Sequence, residues 1–245
     1  SITTGDNNVG LGDDSLTAVT TGATNTAVGV GSGSLITTGS HNIAIGFASL
    51  DATTTGGDNT SIGSYALSAN TTASYNTAVG RKTLFTNTTG ADNVAIGVFS
   101  LQNNTTASNN TAVGGYALTA NTTGANNTSL GRSALAANTT GSENTVVGYQ
   151  AGDALTTASA NVALGTYALS SDTLGGSSVA IGRAALANQN FTSATDAYNT
   201  AVGTRAGVEV TTGVQNTFIG GQSGDANTTA SYNTAVGYSA LSANT

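Results

Sequence analysis

Along the chain, aliphatic and polar residues alternate in a short motif: Asn, then Thr, Val or Ile, then a small residue, then Val, Ile or Leu, then Gly. The motif returns every 17 residues, fourteen times, and slips once, at a four-residue insertion near 188–193. With positions in a unit numbered 1 to 17, the consensus is T-T-(G/A)-x-x-N-(T/V/I)-(A/S)-(V/I/L)-G-x-x-(A/S/T)-(L/G)-x-x-N. Gly stands at position 10 in every unit, and an aliphatic residue stands at position 9 in every unit. Asn stands at position 6 in all but one unit, where Ser178 replaces it. Such an alternation predicts one strand per unit over positions 6 to 10, for example 76–80. It predicts that positions 7 and 9 face the core and that the small position 8 faces away. A shorter second strand is expected over positions 12 to 15, where position 14 is Leu in ten units. Gly at position 10 and the Thr-Thr-Gly/Ala segment then read as corners. The Gly, Thr and Asn content of each unit disfavours helix.

A 17-residue unit with two strands buries nothing alone. Stacked units become coils of a parallel β-solenoid whose strands pair with the coils above and below. The fold class expected is therefore all-β, a parallel β-solenoid or β-roll of fourteen coils forming one repeat domain over 1–245. At about 4.8 Å per coil the rod would be roughly 65 Å long. The residues expected to hold the repeat are Gly80, Gly97 and Gly114, Asn76, Asn93 and Asn110, and Val79, Ile96 and Val113. Identical Asn side chains above one another can hydrogen-bond along the stack and to the corner backbone.

Composition narrows the function. Only 7% of residues are charged, and Cys, Met, Pro and Trp are absent. Disulfides and thiolate metal sites are excluded, and a single His leaves little material for a His-dependent triad or a multi-His site. No catalytic residue, metal ligand or cofactor site is assigned. Five Lys and Arg against twelve Asp and Glu argue against nucleic acid, and no apolar run approaches the roughly 20 residues of a membrane span. The core offered by positions 7, 9 and 14 is thin. Small residues at positions 8 and 13, taken as outward-facing, would let a second surface approach. Lateral association is expected, with three chains around a common axis.

The segment Asn233-Thr234-Ala235-Val236-Gly237 and its copies resemble the head repeats of trimeric autotransporter adhesins of the YadA type, which read roughly N-S-V-A-I-G. They also resemble Asn-Thr-Ala-Val-Gly arrays of phage tail fibres and large bacterial surface proteins. The adhesin resemblance implies a left-handed β-roll, three chains to a head, displayed on a cell surface for attachment. The 17-residue period departs from the adhesin pattern by three extra residues in a corner.

Several further features invite a functional reading. The Thr pair at positions 1 and 2, broken at Leu174 and Ala194, would form ranks of the kind ice-binding solenoids present. Sequons at Asn70, Asn87, Asn121 and Asn138 fall at position 17, read as an exposed corner that can carry glycan. Tyr65, Tyr116 and Tyr167 recur every 51 residues, and Arg81, Arg132 and Arg183 follow them by one coil, so each Arg is expected against its Tyr. The insertion, with Phe191, is the one local irregularity. Neither end carries an atypical capping unit: Thr3 opens the first repeat and Thr245 a fifteenth. Excision from a longer array, or end-to-end stacking into a filament, is expected, and a start at Ser1 fits removal of an upstream segment. The reading is an extracellular or cell-surface structural rod, an adhesin head or fibre subunit and not an enzyme. Its partners are copies of itself, and a host surface protein or glycan. The alternatives are an ice-binding solenoid and a phage tail-fibre shaft.

Overall fold

The computed structural model describes residues 5–243; Ser1, Thr3 and Thr245, with the expectations placed on them, lie outside the described residues. The chain divides into two compact units, Ser1–Thr123 and Gly124–Thr245. Both are all-β, and each is a parallel β-solenoid with one strand per 17-residue coil.

In the first unit the strands are β1 (Val9–Leu11), β2 (Thr26–Val28), β3 (Ile43–Ile45), β4 (Thr60–Ile62), β5 (Thr77–Val79), β6 (Val94–Ile96) and β7 (Thr111–Val113). Each pairs in parallel with the next at an offset of one repeat, as in Thr77 opposite Val94 and Val79 opposite Ile96. In the second unit the series is β8 (Thr128–Leu130), β9 (Thr145–Val147), β10 (Val162–Leu164), β12 (Val179–Ile181), β14 (Thr200–Val202), β15 (Thr217–Ile219) and β16 (Thr234–Val236). There β11 (Gly175–Gly176) and β13 (Thr195–Asp196) form a separate parallel pair where the insertion widens the corner. The ladder bonds are regular: Thr77 N–H donates forward to Asn93 O at 2.8 Å, and Gly80 N–H donates back to Ile62 O at 2.7 Å.

The faces of the strands are the reverse of those expected. From β2 onward the middle residue of every three-residue strand is buried, and the residues on either side of it are half-buried or exposed. Position 8 therefore faces in, as Ala78, Ala95 and Ala112 do. Val79, Ile96 and Val113 stand on the outer face instead of in the core. The physical reason is width. The wall opposite the strand contributes Leu at position 14 (Leu67, Leu84, Leu101, all fully buried) and a small residue at position 13. With Leu occupying the gap, a close-packed interior leaves space for a methyl opposite it and for little more. The small residues at positions 8 and 13 thus belong to the core and offer no outer surface to a second chain.

The second strand is also absent. Positions 12 and 14 adopt left-handed backbone, as at Lys82 (φ 54) and Leu84 (φ 48), with the same pair in every coil of the described chain. Lys82 N–H donates back to Ser64 O at 3.0 Å, and Leu84 N–H donates forward to Ser100 O at 3.2 Å, so the coils remain hydrogen-bonded without β geometry. A strand alternates its side chains; a left-handed residue at position 14 lets positions 13 and 14 both point inward. Burying Leu at about 1.5–3 kcal/mol per side chain offsets the roughly 1–3 kcal/mol that a left-handed conformation costs a non-glycine residue.

Position 10 is a third special site. Its φ lies between 124° and 140° in all fourteen units, a region closed to side chains. A Cβ on Gly80 or Gly97 would also stand 2.8 or 2.6 Å from the carbonyl carbon of the next coil's glycine.

Candidate functional site

The coil interior is held by amides as much as by aliphatic groups. At position 6, Asn93 N–H and Nδ2 both donate to Oδ1 of Asn76 in the preceding coil, at 3.1 and 3.2 Å, and Nδ2 also donates to Ala107 O at 2.9 Å. Asn110 N–H continues the ladder onto Asn93 Oδ1 at 3.0 Å. All three amides are fully buried.

A second ladder runs at position 17, where the sequence pointed to an exposed corner. Asn70, Asn87, Asn121 and Asn138 are all fully buried. Asn87 Nδ2 donates to Asn70 Oδ1 at 3.2 Å, and Asn121 Nδ2 donates to Asn104 Oδ1 at 2.9 Å. Asn70 Nδ2 reaches Thr53 Oγ1 and Ala73 O, each at 3.0 Å, and Asn138 Nδ2 reaches Gly141 O at 3.0 Å. The nitrogen that would carry a glycan is in each case a buried donor, so the folded coil has no room for the sugar. Both ladders converge on the carbonyl of position 3: Asn76 and Asn87 approach Gly90 O at 3.0 and 2.9 Å. The two lone pairs of that buried oxygen are thereby filled, which explains why two Asn recur in each coil. The signal for burial was in the sequence, because Val19, Ile36, Leu155 and Val210 occupy the same position in other units.

The insertion rearranges these ladders as a set. Asp172 and Gln189 take position 17, and Ser178 takes position 6. Gln189 Nε2 donates to Asp172 Oδ2 at 2.6 Å and to Ser178 Oγ at 3.0 Å, while its Oε1 accepts Asn199 Nδ2 at 2.8 Å. The longer Gln restores the link that Ser178 shortens. Phe191 folds in and is buried, so the insertion presents no aromatic knob to solvent.

Two outer surfaces carry most of the large side chains beside the strand. The first is the strand face, where positions 7 and 9 form ladders of Thr, Val, Ile and Leu without a charged residue. Ile45, Ile62 and Ile96 are 36–40% exposed there. The second is a ridge at positions 11 and 12. The cations occupy these positions in each unit, Arg81 and Lys82 in the first and Arg132, Arg183 and Arg205 in the second, interleaved with aromatic residues. The rings pack coil to coil: Phe47 and Tyr65 at 5.2 Å, Tyr65 and Phe85 at 6.2 Å, Phe99 and Tyr116 at 5.2 Å. Cation–ring contacts form, but with partners other than those expected. Arg81 lies over Phe99 at 5.3 Å and Arg132 over Tyr149 at 5.8 Å, each one coil forward and not back onto Tyr65 or Tyr116. Lys82 is the cation that meets Tyr65, at 6.0 Å, and it also meets Phe85 at 5.0 Å.

The Thr ranks divide by role. Position 1 hydroxyls donate to the same position's carbonyl one coil on, as in Thr37 to Thr54 O at 3.0 Å and Thr88 to Thr105 O at 3.0 Å. Position 2 is exposed, so a single file of Thr faces solvent where a double rank was expected. Comparison with family models, curated proteins and solved structures finds no match for the chain.

Proposed function

We propose that the chain is a structural segment of a surface-displayed fibre or adhesin head, which assembles laterally with copies of itself. The observation that carries this reading is the outer strand face: an uncharged ladder of aliphatic and Thr side chains repeated at one coil spacing. Contiguous exposed apolar surface of this kind marks an interaction site. Two copies of the same ladder share one repeat, so their side chains interdigitate at every coil in register, as identical ladders do in dry sheet-to-sheet interfaces. The resemblance to adhesin head repeats favours three chains around an axis and extracellular display. In this reading the work of the protein is mechanical: repeated coils supply length and a multivalent surface.

The test is sedimentation equilibrium on the wild-type chain and on the triple variant Val79→Thr, Ile96→Thr, Val113→Thr. These positions are partly exposed and Thr keeps β propensity, so the coil is retained, as far-UV circular dichroism will verify. The wild type is expected as an oligomer, a trimer by the resemblance, and the variant as a weakened or monomeric species. A wild-type chain that stays monomeric at high concentration overturns the proposal.

A further inference from the structure

We propose that the aromatic and cationic ridge of the first unit is a binding surface for an acidic polysaccharide, with uronate-type sugars seated on the exposed rings of Phe47 and Tyr116, their carboxylates on Arg81 and Lys82, and Tyr65 and Phe99 positioning those two cations. Charge placement is the first support. The chain carries a formal net charge of -7, yet every Lys and Arg occupies one of two positions in a 17-residue repeat. Within the first unit, positions 11 and 12 carry no acid from Val30 to Tyr116.

The cations are also unspent. Among the described residues the one ion pair within 4.0 Å is His41 with Asp58, at 3.7 Å, and it involves none of the five. Asp58 and Asp92 stand at position 5, across the strand from the ridge. Asp51, nearer to it, accepts Ser68 Oγ at 2.7 Å. An Arg held over a ring instead of a carboxylate keeps its charge available to an incoming anion, and the ring fixes its direction.

Ring geometry selects among anionic polymers. Phe47, Tyr65 and Phe85 pack edge to face, at 77° and 87°. Successive rings therefore offer no run of parallel faces on which consecutive bases would stack, the arrangement that single-stranded nucleic acid uses. A sugar needs one ring face at a time. Phosphate-based affinity also grows with the number of cations met, and two cations on a net-negative chain supply little of it, whereas a sugar carboxylate paired to Arg is a single charge-assisted contact. The ridge lies beyond position 9, so the inference does not rest on lateral assembly through the strand face.

Affinity electrophoresis of the full chain through gels containing polygalacturonate, dextran or oligo-dT tests the proposal, with sedimentation of the same samples to report the oligomer state separately. Two variants borrow residues that other coils already hold at these positions, as Thr166 and Ser133 do: the pair Arg81→Thr, Lys82→Ser, and the single Tyr65→Ser. Polygalacturonate is expected to retard the wild type and dextran is not. The double variant is expected to lose affinity by roughly tenfold or more, and Tyr65→Ser, which leaves the charge unchanged, by several-fold. Retardation equal in dextran, stronger binding to oligo-dT, absence of retardation by polygalacturonate, or an unchanged affinity in both variants would overturn it.

Discussion

Three residues per coil sit in left-handed backbone, at positions 5, 12 and 14, and a fourth, the glycine at position 10, sits where only glycine goes. A fold with so many costly conformations persists because each is tied by its N–H to a neighbouring coil: Asp58, Gly80 and Lys82 donate back to Ser40 O, Ile62 O and Ser64 O, and Leu84 donates forward to Ser100 O. Side-chain burial follows the same logic, and one of its exceptions is informative. Asp153, half-buried at position 15, receives Gln150 Nε2 on Oδ2 at 3.2 Å, while its buried Oδ1 has no partner. Burial raises its pKa above the usual carboxylate range, against smaller lowering by a backbone hydrogen bond and by Gln150. A carboxyl whose folded pKa exceeds its unfolded one binds its proton more tightly when folded. The ionised form therefore costs stability above the folded pKa, and the cost vanishes below the unfolded value of about 3.9. Asp153→Asn is accordingly expected to raise the thermal midpoint at pH 7, with the gap to wild type narrowing as the pH falls through the folded pKa and gone below about 4. Paired thermal melts across this range measure the gap, and a gap independent of pH would refute the assignment.

At the scale of the coil, variation is correlated within the interior. Position 14 is Gly in four units, and each gap is filled by a larger neighbour. A Cβ on Gly33 would meet Ile36 Cδ1 at 3.0 Å; one on Gly152 would meet Leu155 Cδ1 at 3.0 Å and Val146 at 3.5 Å. Gly207 and Gly224 make room for Phe218, the one aromatic at position 8. Volume is conserved per coil while the identities change, as close packing requires. Gly152→Leu, which installs the commonest residue of that position, is expected to destabilise by about 1–3 kcal/mol through overpacking. Adding Val146→Ala and Leu155→Asn is expected to recover most of that loss, giving a coupling of about 0.5–3 kcal/mol in denaturant titrations. Strictly additive effects would show that the three sites do not share one space. These correlations explain what the repeat concealed. Strand position and coil-to-coil register were legible because they depend on a period alone. Which face of the strand points inward was not, since it depends on how much room Leu at position 14 leaves opposite Ala at position 8. The Asn at position 17 were misread for a related reason: a sequon and a buried ladder are written with the same letters, and only the Val, Ile and Leu at that position in other units separate them.

For the molecule as a whole, stability is built from coils that touch their immediate neighbours. Thr71 to Asn87 form one complete coil, tied to the coil before by Thr54 Oγ1 donating to Thr71 O and Asn87 Nδ2 donating to Asn70 Oδ1, and to the coil after by Thr71 Oγ1 donating to Thr88 O and Asn104 Nδ2 donating to Asn87 Oδ1. Deleting these 17 residues joins Asn70 directly to Thr88, position 17 to position 1, and brings Asn59 beneath Asn93 and Asn70 beneath Asn104. Both amide ladders close again with like on like, and Ile62 comes to stand against Ile96 on the outer face. In a solenoid, stability is close to a sum of coil terms and nearest-neighbour terms, so the shortened chain loses one of each and keeps the rest. It is expected to fold with an unchanged far-UV spectrum per residue and to show a thermal midpoint lowered by a few degrees at most. Deleting only 71–78 removes about half a coil, sets Asn70 against a position 9 residue, and forces buried amides to face aliphatic groups at the cost of an unsatisfied donor or acceptor per contact, about 1–3 kcal/mol each. That variant is expected to unfold the adjoining coils. If the two deletions behaved alike, the coil would not be the unit in which this protein stores its stability.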